Sequence, residues 1–218
     1  VDKYRPNKPE ESYFHKDTIK KLKCMSEDTE VPHMIFYGPP GSGKMTLINI
    51  FLNMLYDDHV NKAKYVEYSV SGSGSNVKNV QIQQTQYHIV IEPNNNNFYK
   101  YLIQEVVKIY AQKKLLNVYK SKHNFKVVLI NNIDNMTYYA QTALRRTMEK
   151  YSTTCRFIMC SRSLSKVIDP LKSRCMTVRI SNPTTDDIFG FLCYVASCEH
   201  FNTQLTLNDY IDIADRSD

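Results

Sequence analysis

The sequence lacks any apolar run long enough to span a membrane, and its first residues show no signal-peptide pattern. These absences argue against a membrane-spanning helix, and we expect an intracellular protein with no membrane partner. The six cysteines form no CxxC pair, and none has histidine neighbours at the spacing of a zinc site. We therefore expect free, buried thiols in a reducing compartment rather than a metal centre.

Charge of neither sign dominates the chain. It carries 28 Lys and Arg against 22 Asp and Glu, which gives a formal net charge of +6, with 42% hydrophobic and 23% charged residues. This composition is typical of a globular protein, and 218 residues allow one or two domains. The mild basic excess suits an anionic partner such as DNA or a nucleotide, but it is also common in proteins that bind no nucleic acid.

A phosphate-binding loop is the most informative motif that the sequence contains. Gly38–Met45 matches the pattern G-x-x-x-x-G-K-[ST] except at its last position. Glycines in this pattern let successive backbone N–H groups surround phosphates, and the lysine, here Lys44, reaches the terminal phosphates. The predicted strand Val31–Tyr37 precedes the loop and the predicted helix Lys44–Tyr56 follows it, which is the context that the motif requires.

The motif lacks its metal ligand. Met45 occupies the position of the Ser/Thr hydroxyl that holds magnesium, and a thioether is a poor ligand for a hard cation. Thr46 comes one residue late, which on a helix turns its side chain by about 100° away from the metal-facing side. We therefore expect the loop to bind a nucleotide and to hydrolyse it poorly.

A second deficit follows the predicted strand Phe125–Ile130. P-loop ATPases place an Asp for magnesium at this strand end, often followed by a Glu that polarises the attacking water. Asn131 and Asn132 stand in that place, so neither position supplies a negative charge or accepts a proton. Losing a general base typically costs about 10²–10⁴ in rate. For Asp134 we favour a local turn or a helix-capping carboxylate over a metal ligand.

Predicted strands and helices alternate up to Asn182, which indicates an α/β fold with a parallel sheet, helices on both faces and a ligand at the carboxyl ends of the strands. Apart from the segments already named, the predicted helices are Asp17–Asp28, Tyr99–Leu116, Tyr139–Lys150 and Lys166–Lys172, and the predicted extended segments are Tyr65–Val70, Val80–Glu92, Cys155–Cys160 and Cys175–Ile180. After Pro183 the pattern is all helical, at Asp186–Cys198 and Leu207–Asp215. We therefore expect a nucleotide-binding domain over residues 1–182 and the start of a small helical domain over residues 183–218.

Four segments of the chain are similar to motifs of one family: Val1–Pro6, the phosphate loop, Ala143–Tyr151 and Ser173–Cys175. On these motifs, and over nearly its whole length, the chain resembles the small subunits of eukaryotic replication factor C. That assembly is the AAA+ clamp loader that opens sliding clamps and sets them on primer–template DNA. Three further segments resemble its end-of-ring subunit, numbered three in human and five in yeast naming, whose own ATP site is degenerate; they are Tyr87–Pro93, Gln104–Lys108 and Thr154–Arg156.

The resemblance implies an AAA+ P-loop domain followed by a helical lid, and a site for ATP or ADP that is poorly suited to magnesium. By position, the residues implied to bind nucleotide are Tyr4, Arg5, Pro6, Gly38, Pro39, Pro40, Gly41, Ser42, Gly43, Lys44, Met45 and Thr46. The resemblance also implies that Arg174 enters the ATP site of a neighbouring subunit, where such an arginine finger can contribute about 10³–10⁵ in rate. Taken alone, Arg174 would be interpreted as a solvated surface residue.

Partners are implied in the same way: the other subunits of a hetero-pentamer, a sliding clamp and primer–template DNA, in the nucleus or, for a virus-encoded chain, at the site of viral replication. Arg145 and Arg146 are candidates for contacts with DNA phosphates, and subunit-interface or solvated roles are equally open for them. The clamp would contact the face that carries Tyr99–Leu116. Family members have a further helical collar, which we do not find after Asp218, and we expect the two ends of the sequence not to be natural termini.

Arg162 is a further departure, because the family usually has an asparagine at this position after the predicted strand Cys155–Cys160. Arg162 can contact a phosphate, but it cannot position a water molecule as an amide oxygen does. We therefore interpret the chain as a clamp-loader subunit that holds a nucleotide with little or no hydrolysis and donates Arg174 in trans. Two alternatives stay open: an active P-loop ATPase or nucleotide kinase that uses substitute metal ligands such as Asp134, and a binding module whose loop is a relic.

Overall fold

A seven-stranded sheet forms the centre of the computed structural model, which describes residues 2–56, 63–71, 77–93, 98–112, 123–199 and 211–213. The strands are β1 (Met34–Tyr37), β2 (Lys64–Ser71), β3 (Val77–Gln84), β4 (His88–Ile91), β5 (Lys126–Ile130), β6 (Cys155–Ser161) and β7 (Met176–Arg179). Their order across the sheet is β2-β3-β4-β5-β6-β1-β7. β4, β5, β6, β1 and β7 pair in parallel, whereas β3 runs antiparallel to both of its neighbours.

Helices connect most of these strands. They are α1 (Lys16–Glu27), α2 (Lys44–Tyr56), α3 (Phe98–Gln112), α4 (Tyr138–Lys150), α5 (Asp169–Lys172) and α6 (Thr185–Cys198), with short 3₁₀ turns at Asp2–Tyr4, Pro9–Glu11, Ile133–Asn135 and Leu164–Lys166. Within the described ranges, no helix is both long and apolar enough to cross a membrane. The predicted helix Leu207–Asp215 lies outside the described residues except for 211–213, which are helical, and the last four residues of the predicted helix Tyr99–Leu116 lie outside them as well.

The central strand β5 is buried along its whole length because helices cover both faces of the sheet. Val127 and Leu129 pack in one core with α1 and α2, while Val128 and Ile130 pack in a second core with α3 and α4. Fully burying a side chain of this size stabilises the fold by about 1.5–3 kcal/mol. The predicted α/β fold with helices on both faces of the sheet is therefore confirmed.

The antiparallel strand β3 is the feature that a purely parallel sheet lacks. The segment Val80–Glu92, predicted to be extended or a hairpin, contains most of β3 and the whole of β4. Thr85 closes the connection between them, since its Oγ1 accepts hydrogen bonds from the backbone N–H groups of His88 at 2.8 Å and Tyr87 at 3.2 Å. A connection this short can join only antiparallel strands, because parallel neighbours need a long crossover.

The predicted helix Lys166–Lys172 is divided into a 3₁₀ turn and α5, and Pro170 explains the division. In a continuous helix its ring would clash with the carbonyl of Lys166, and the hydrogen bond to that carbonyl would be lost. Here Pro170 lies in the first turn of α5, where a missing N–H costs nothing. The Lys166 carbonyl accepts a hydrogen bond from Nε2 of Gln141 at 2.9 Å instead.

The end of β7 determines where the phosphate loop lies. The N–H of Ile180 donates to the carbonyl oxygen of Tyr37 at 2.8 Å, so the pairing of β1 with β7 continues up to the loop. The backbone then passes so close to β7 that a Cβ atom on Gly38 would lie 1.9 Å from the carbonyl oxygen of Ile180. Gly41, by contrast, has open space around it but a φ of +81°, which L side chains rarely adopt.

Replacing Gly38 by alanine should therefore destabilise the protein through a backbone clash. Gly38→Ala is expected to lower the free energy of unfolding by about 3 kcal/mol, because the loop or the strand end must shift. Gly41→Ala is the matched control and should cost only about 1–2 kcal/mol, the penalty of the left-handed conformation. Urea unfolding followed by circular dichroism measures both, and equal losses at the two positions would contradict the close contact at Gly38.

Candidate functional site

Lys44 begins α2 and folds back over the phosphate loop. Its Nζ donates hydrogen bonds to the carbonyl oxygens of Gly38, at 2.9 Å, and Pro39, and to Oγ of Ser42 at 3.2 Å. Burial lowers the pKa of the Lys44 ammonium from its ordinary value. The ammonium thus lies within the loop, close to where this motif places the phosphates of a nucleotide.

A cleft of about 490 Å³ opens beside Lys44 at the carboxyl ends of β1, β5 and β6. The residues that line it are Pro40, Gly41, Gly43, Lys44, Met45, Thr46, Asn131, Asn132, Cys160 and Arg162. Carboxyl ends of parallel strands meet at one edge of a sheet, which is the usual ligand position in open α/β folds. The structure therefore brings together the phosphate loop, both asparagines and Arg162. Asp134 is not among the residues that line the cleft.

The lining of this cleft is rich in neutral groups. Met45 is half-buried and packs against the core formed with α1 and α2. Asn131 donates from Nδ2 to Oε1 of Glu92 at 3.2 Å, which ties its amide to the end of β4. Asn132 has a φ of +51°, a left-handed conformation that asparagine tolerates better than most residues. In the part of the chain that the structure describes, no group of three His, Cys, Asp or Glu side chains is arranged to hold a metal ion.

Asp134 forms an ion pair with Arg162 instead of capping a helix. Its carboxylate, only 3% exposed, accepts hydrogen bonds from Nε of Arg162 at 3.0 Å and from the Arg162 backbone N–H at 3.4 Å. The cap of α4 is Thr137, whose Oγ1 accepts from the N–H of Ala140 at 3.4 Å. Of the two roles expected for Asp134, the turn is therefore found, at Ile133–Asn135, and the cap is wrong.

A second pocket, of about 540 Å³ and largely apolar, lies between the N-terminal segment, the phosphate loop and α6. The residues that line it are Tyr4, Arg5, Pro6, Ser12, Phe14, His15, Gly41, Ser42, Gly43, Thr46, Leu47, Pro183, Phe191, Leu192 and Val195. The rings of Phe14 and Phe191 are in contact, with centroids 5.3 Å apart. They join the N-terminal segment to α6 across the pocket.

Polar contacts hold the N-terminal segment in place. Tyr4 and Lys3 both donate hydrogen bonds to Oε1 of Glu199, at the end of α6. At the other end of the segment, Nε2 of His15 lies 3.1 Å from the carbonyl oxygen of Ser42 in the phosphate loop. The segment is therefore attached to both walls of the apolar pocket.

The two pockets form one elongated site, because Gly41, Gly43 and Thr46 line both of them. One end has aromatic and aliphatic walls, and the other end presents the cations of Lys44 and Arg162. An apolar space suits a flat base, and a cationic cleft bounded by a glycine-rich loop suits phosphates. The arrangement therefore suits a nucleotide that lies along the phosphate loop.

Arg174 lies at the opposite edge of the sheet. It comes just before the amino end of β7, whereas the cleft lies at the carboxyl ends of the parallel strands. Its side chain is 41% exposed, with Nε 2.9 Å from Oε1 of Glu149 and Nη1 donating to the carbonyl oxygen of Pro170 at 2.9 Å. Arg174 lines neither of the two pockets.

The two arginines of α4 differ in their surroundings. Nε of Arg145 lies 3.5 Å from the same Glu149 oxygen that contacts Arg174, and Arg145 is half-buried. Arg146 is exposed and is the more accessible of the two to an anionic partner.

Some residues of the site were not predicted from the sequence. The aromatic contact between Phe14 and Phe191 has no local signal, since 176 positions separate the two residues and only the fold joins them. Glu149, by contrast, has a local signal in the sequence, because its i, i+4 spacing from Arg145 is the spacing of helical ion pairs.

Comparisons with known proteins connect this site to a family. A family model described as DNA polymerase III, delta subunit, matches residues 14–184. The chain is 45% identical over 208 residues to a putative replication factor C small subunit of Acanthamoeba polyphaga mimivirus, covering 95% of this chain and 55% of the relative. It is 38% identical to replication factor C subunit 3 of Homo sapiens, with 93% of this chain and 57% of the relative covered. The same subunit of Arabidopsis thaliana is also 38% identical, over 91% and 57% of the two chains.

This chain spans little more than half the length of the curated relatives named above. Among solved structures, the RuvB Holliday junction branch migration motor of Thermotoga maritima superimposes with a TM-score of 0.64 at 15% identity, over 98% of this chain and 60% of that one. At this identity the likeness concerns the fold, which is that of an AAA+ P-loop protein. By fold and by sequence, the chain belongs to the replication factor C small-subunit family of clamp-loader proteins.

Proposed function

We propose that this chain acts as a subunit of a DNA sliding-clamp loader that holds ATP or ADP with little or no hydrolysis of its own. In this role it donates Arg174 to the ATP site of a neighbouring subunit and helps to set the clamp on primer–template DNA during replication. The observation that carries the proposal is that the cleft beside the phosphate loop and the side chain of Arg174 lie at opposite ends of the parallel strands. A phosphate cleft without a catalytic carboxylate lies at one edge, and an exposed guanidinium lies at the other.

Retention of a nucleotide is supported by the continuity of the two pockets. The apolar end, with Tyr4, Arg5 and Pro6 on its wall, would hold the base. The backbone N–H groups of the phosphate loop and the ammonium of Lys44 would hold the phosphates. The helix α6, which follows Pro183, would then belong to the lid that we expect over residues 183–218.

Weak hydrolysis is supported by the chemistry of the groups that line the cleft. Magnesium prefers oxygen ligands in near-octahedral geometry, and Met45, Asn131 and Asn132 replace the hydroxyl and carboxylates that P-loop ATPases use. These residues therefore do not fit the metal, and no step of the proposed function passes through it. An active ATPase with Asp134 as substitute ligand is not favoured, because the Asp134 carboxylate is buried against Arg162.

A role for Arg174 in trans is supported by its position and its chemistry. It lines neither pocket of its own chain, and its ion pair with Glu149 is exposed enough for a stronger anion to replace it. A guanidinium is permanently charged and presents a planar fork that matches phosphate oxygens. In a ring of such subunits, each ATP site would lie between the phosphate loop of one chain and the arginine of the next.

DNA and the sliding clamp would contact different helices of the chain. Arg146, exposed on α4, and its neighbour Arg145 would contact DNA phosphates, which fix position without reading sequence. The clamp would lie against the face that carries α3. The assembly would work in the nucleus, or at the site of viral replication for a virus-encoded chain.

The isolated chain is expected to turn over ATP at least about 10²-fold more slowly than an ordinary P-loop ATPase, because no described residue that lines the cleft is a carboxylate or a histidine that could act as general base. A single-turnover assay with radiolabelled ATP and MgCl₂ measures this rate. Lys44→Ala, which removes the ammonium from the loop, sets the background of the assay. A Lys44-dependent rate on the order of 1 s⁻¹ or faster, as ordinary enzymes show, would contradict the proposal.

Arg174→Ala is expected to slow ATP turnover at the neighbouring site by about 10³-fold or more and to leave nucleotide binding by this chain unchanged. The assay needs an assembly in which only that neighbouring site is active, so that other sites do not hide the loss. Lys172→Ala is the matched control, because it removes a cation from the same segment whose partner is Asp169. Turnover that is the same with Arg174→Ala and Lys172→Ala would remove the role in trans.

A further inference from the structure

Arg162 is held at the rim of the phosphate cleft by bonds that leave part of its guanidinium available. Nε donates to Asp134 at 3.0 Å, and Nη2 donates to Oδ1 of Asn135 at 3.4 Å. A guanidinium has five N–H donors in a planar fork, so these two side-chain contacts leave donors for another acceptor. The side chain is 53% exposed and lines the cleft.

Lys44 lines the same cleft, and the two cations lie within electrostatic reach of each other. Burial is the main cause that lowers the pKa of Lys44, and the positive charge of Arg162 lowers it further, while Cys160 and Asp134 oppose the shift. Asp134 pairs with Arg162 and compensates part of its charge, while the Lys44 ammonium has no carboxylate beside it among the residues that line the cleft, so the cleft keeps a net positive charge. The cleft is therefore prepared for a strongly negative ligand before any metal is considered.

A divalent cation would find a poor site in the same space. Met45 offers a thioether, Asn131 and Asn132 offer only neutral amide oxygens, and the carboxylate of Asp134 is occupied by Arg162. Among the described residues that line the cleft there is no Asp or Glu. A dication would thus meet the net positive charge of the cleft without the carboxylate ligands that would compensate its own charge.

We propose that the cleft binds the polyphosphate of a nucleoside di- or triphosphate as the metal-free anion, with Arg162 and Lys44 supplying the positive charge that a divalent cation supplies in other P-loop sites. The inference rests on the proposed nucleotide site and adds the form in which the ligand binds. Arg162 donates parallel hydrogen bonds from its fork to phosphate oxygens, which a guanidinium does better than an ammonium. Charge compensation is sufficient for binding, whereas hydrolysis also requires a group that activates water, so this substitution retains the ligand without turning it over.

Isothermal titration calorimetry of the chain with ATP, and separately with ADP, tests the role of the metal. One series contains excess EDTA and the other contains millimolar MgCl₂ at matched ionic strength and pH. The dissociation constant in EDTA is expected to be lower than the value in MgCl₂, or at most about threefold higher. A threefold change corresponds to less than about 1 kcal/mol of binding free energy.

A pair of variants tests the role of Arg162. Arg162→Gln alone would leave the buried Asp134 carboxylate without its cation, which destabilises the fold and adds a negative charge near the phosphates. The double variant Asp134→Asn with Arg162→Gln neutralises both partners and keeps hydrogen-bonding groups at both positions. It is expected to bind ATP in EDTA about 10- to 100-fold more weakly, the usual effect of losing a hydrogen bond between charged groups. Lys108→Ala, at an exposed position on α3 outside the lining of the cleft, is the control for removing a cation elsewhere on the chain and should bind as the original chain does.

The possible outcomes separate this inference from the function on which it rests. Metal-independent binding that the double variant weakens supports it. Saturable binding that requires MgCl₂ overturns it and leaves the nucleotide site standing, and so does metal-independent binding that the double variant does not change. No saturable binding in either series removes the nucleotide site together with the inference.

Discussion

The ion pair between Asp134 and Arg162 is the interaction on which the chemistry of this protein depends. It joins the turn after β5 to the residue that follows β6, so it links the ends of two neighbouring strands at the edge where the ligand site lies. A carboxylate that is 3% exposed is stable as an anion only when a cation compensates it. Arg162 therefore contributes to the fold as well as to the site, and Asp134 is not free for any other cation.

This pair also bears on the proposal that the phosphate loop holds a nucleotide without hydrolysing it. The loop, its glycines and Lys44 have the geometry of a binding site, while the groups that would activate water are neutral. The proposed contribution to catalysis lies instead at the amino end of β7, where Arg174 is exposed. In the proposed assembly, one face of the subunit would receive a ligand and another would donate a charge, and heterologous surfaces of this kind allow subunits to close into a ring.

Much of this arrangement could be predicted from local patterns. The glycine spacing and the strand before it indicated the phosphate loop, and the β-branched run Phe125–Ile130 indicated the central strand that ends at Asn131. The partner of Asp134 could not be predicted, because Arg162 lies 28 residues away and the contact depends on β5 and β6 being neighbours. The sequence predicts that Val80–Glu92 is extended or a hairpin, but it does not fix the direction of β3 in the sheet, because alternating residues indicate a strand without its direction. The wall of the apolar pocket comes from α6, far from the loop in sequence, and only tertiary packing brings it there.

The close approach of Gly38 to Ile180 has a mechanical consequence. Ile180 ends the sheet at its β7 edge, and the chain that leaves it leads within a few residues to α6. The phosphate loop on one side and the apolar wall on the other thus share a single strand end as their common anchor. A displacement of that anchor would move the backbone on both sides together, so the spacing between the loop and α6 depends on this backbone contact as well as on the side chains of the wall.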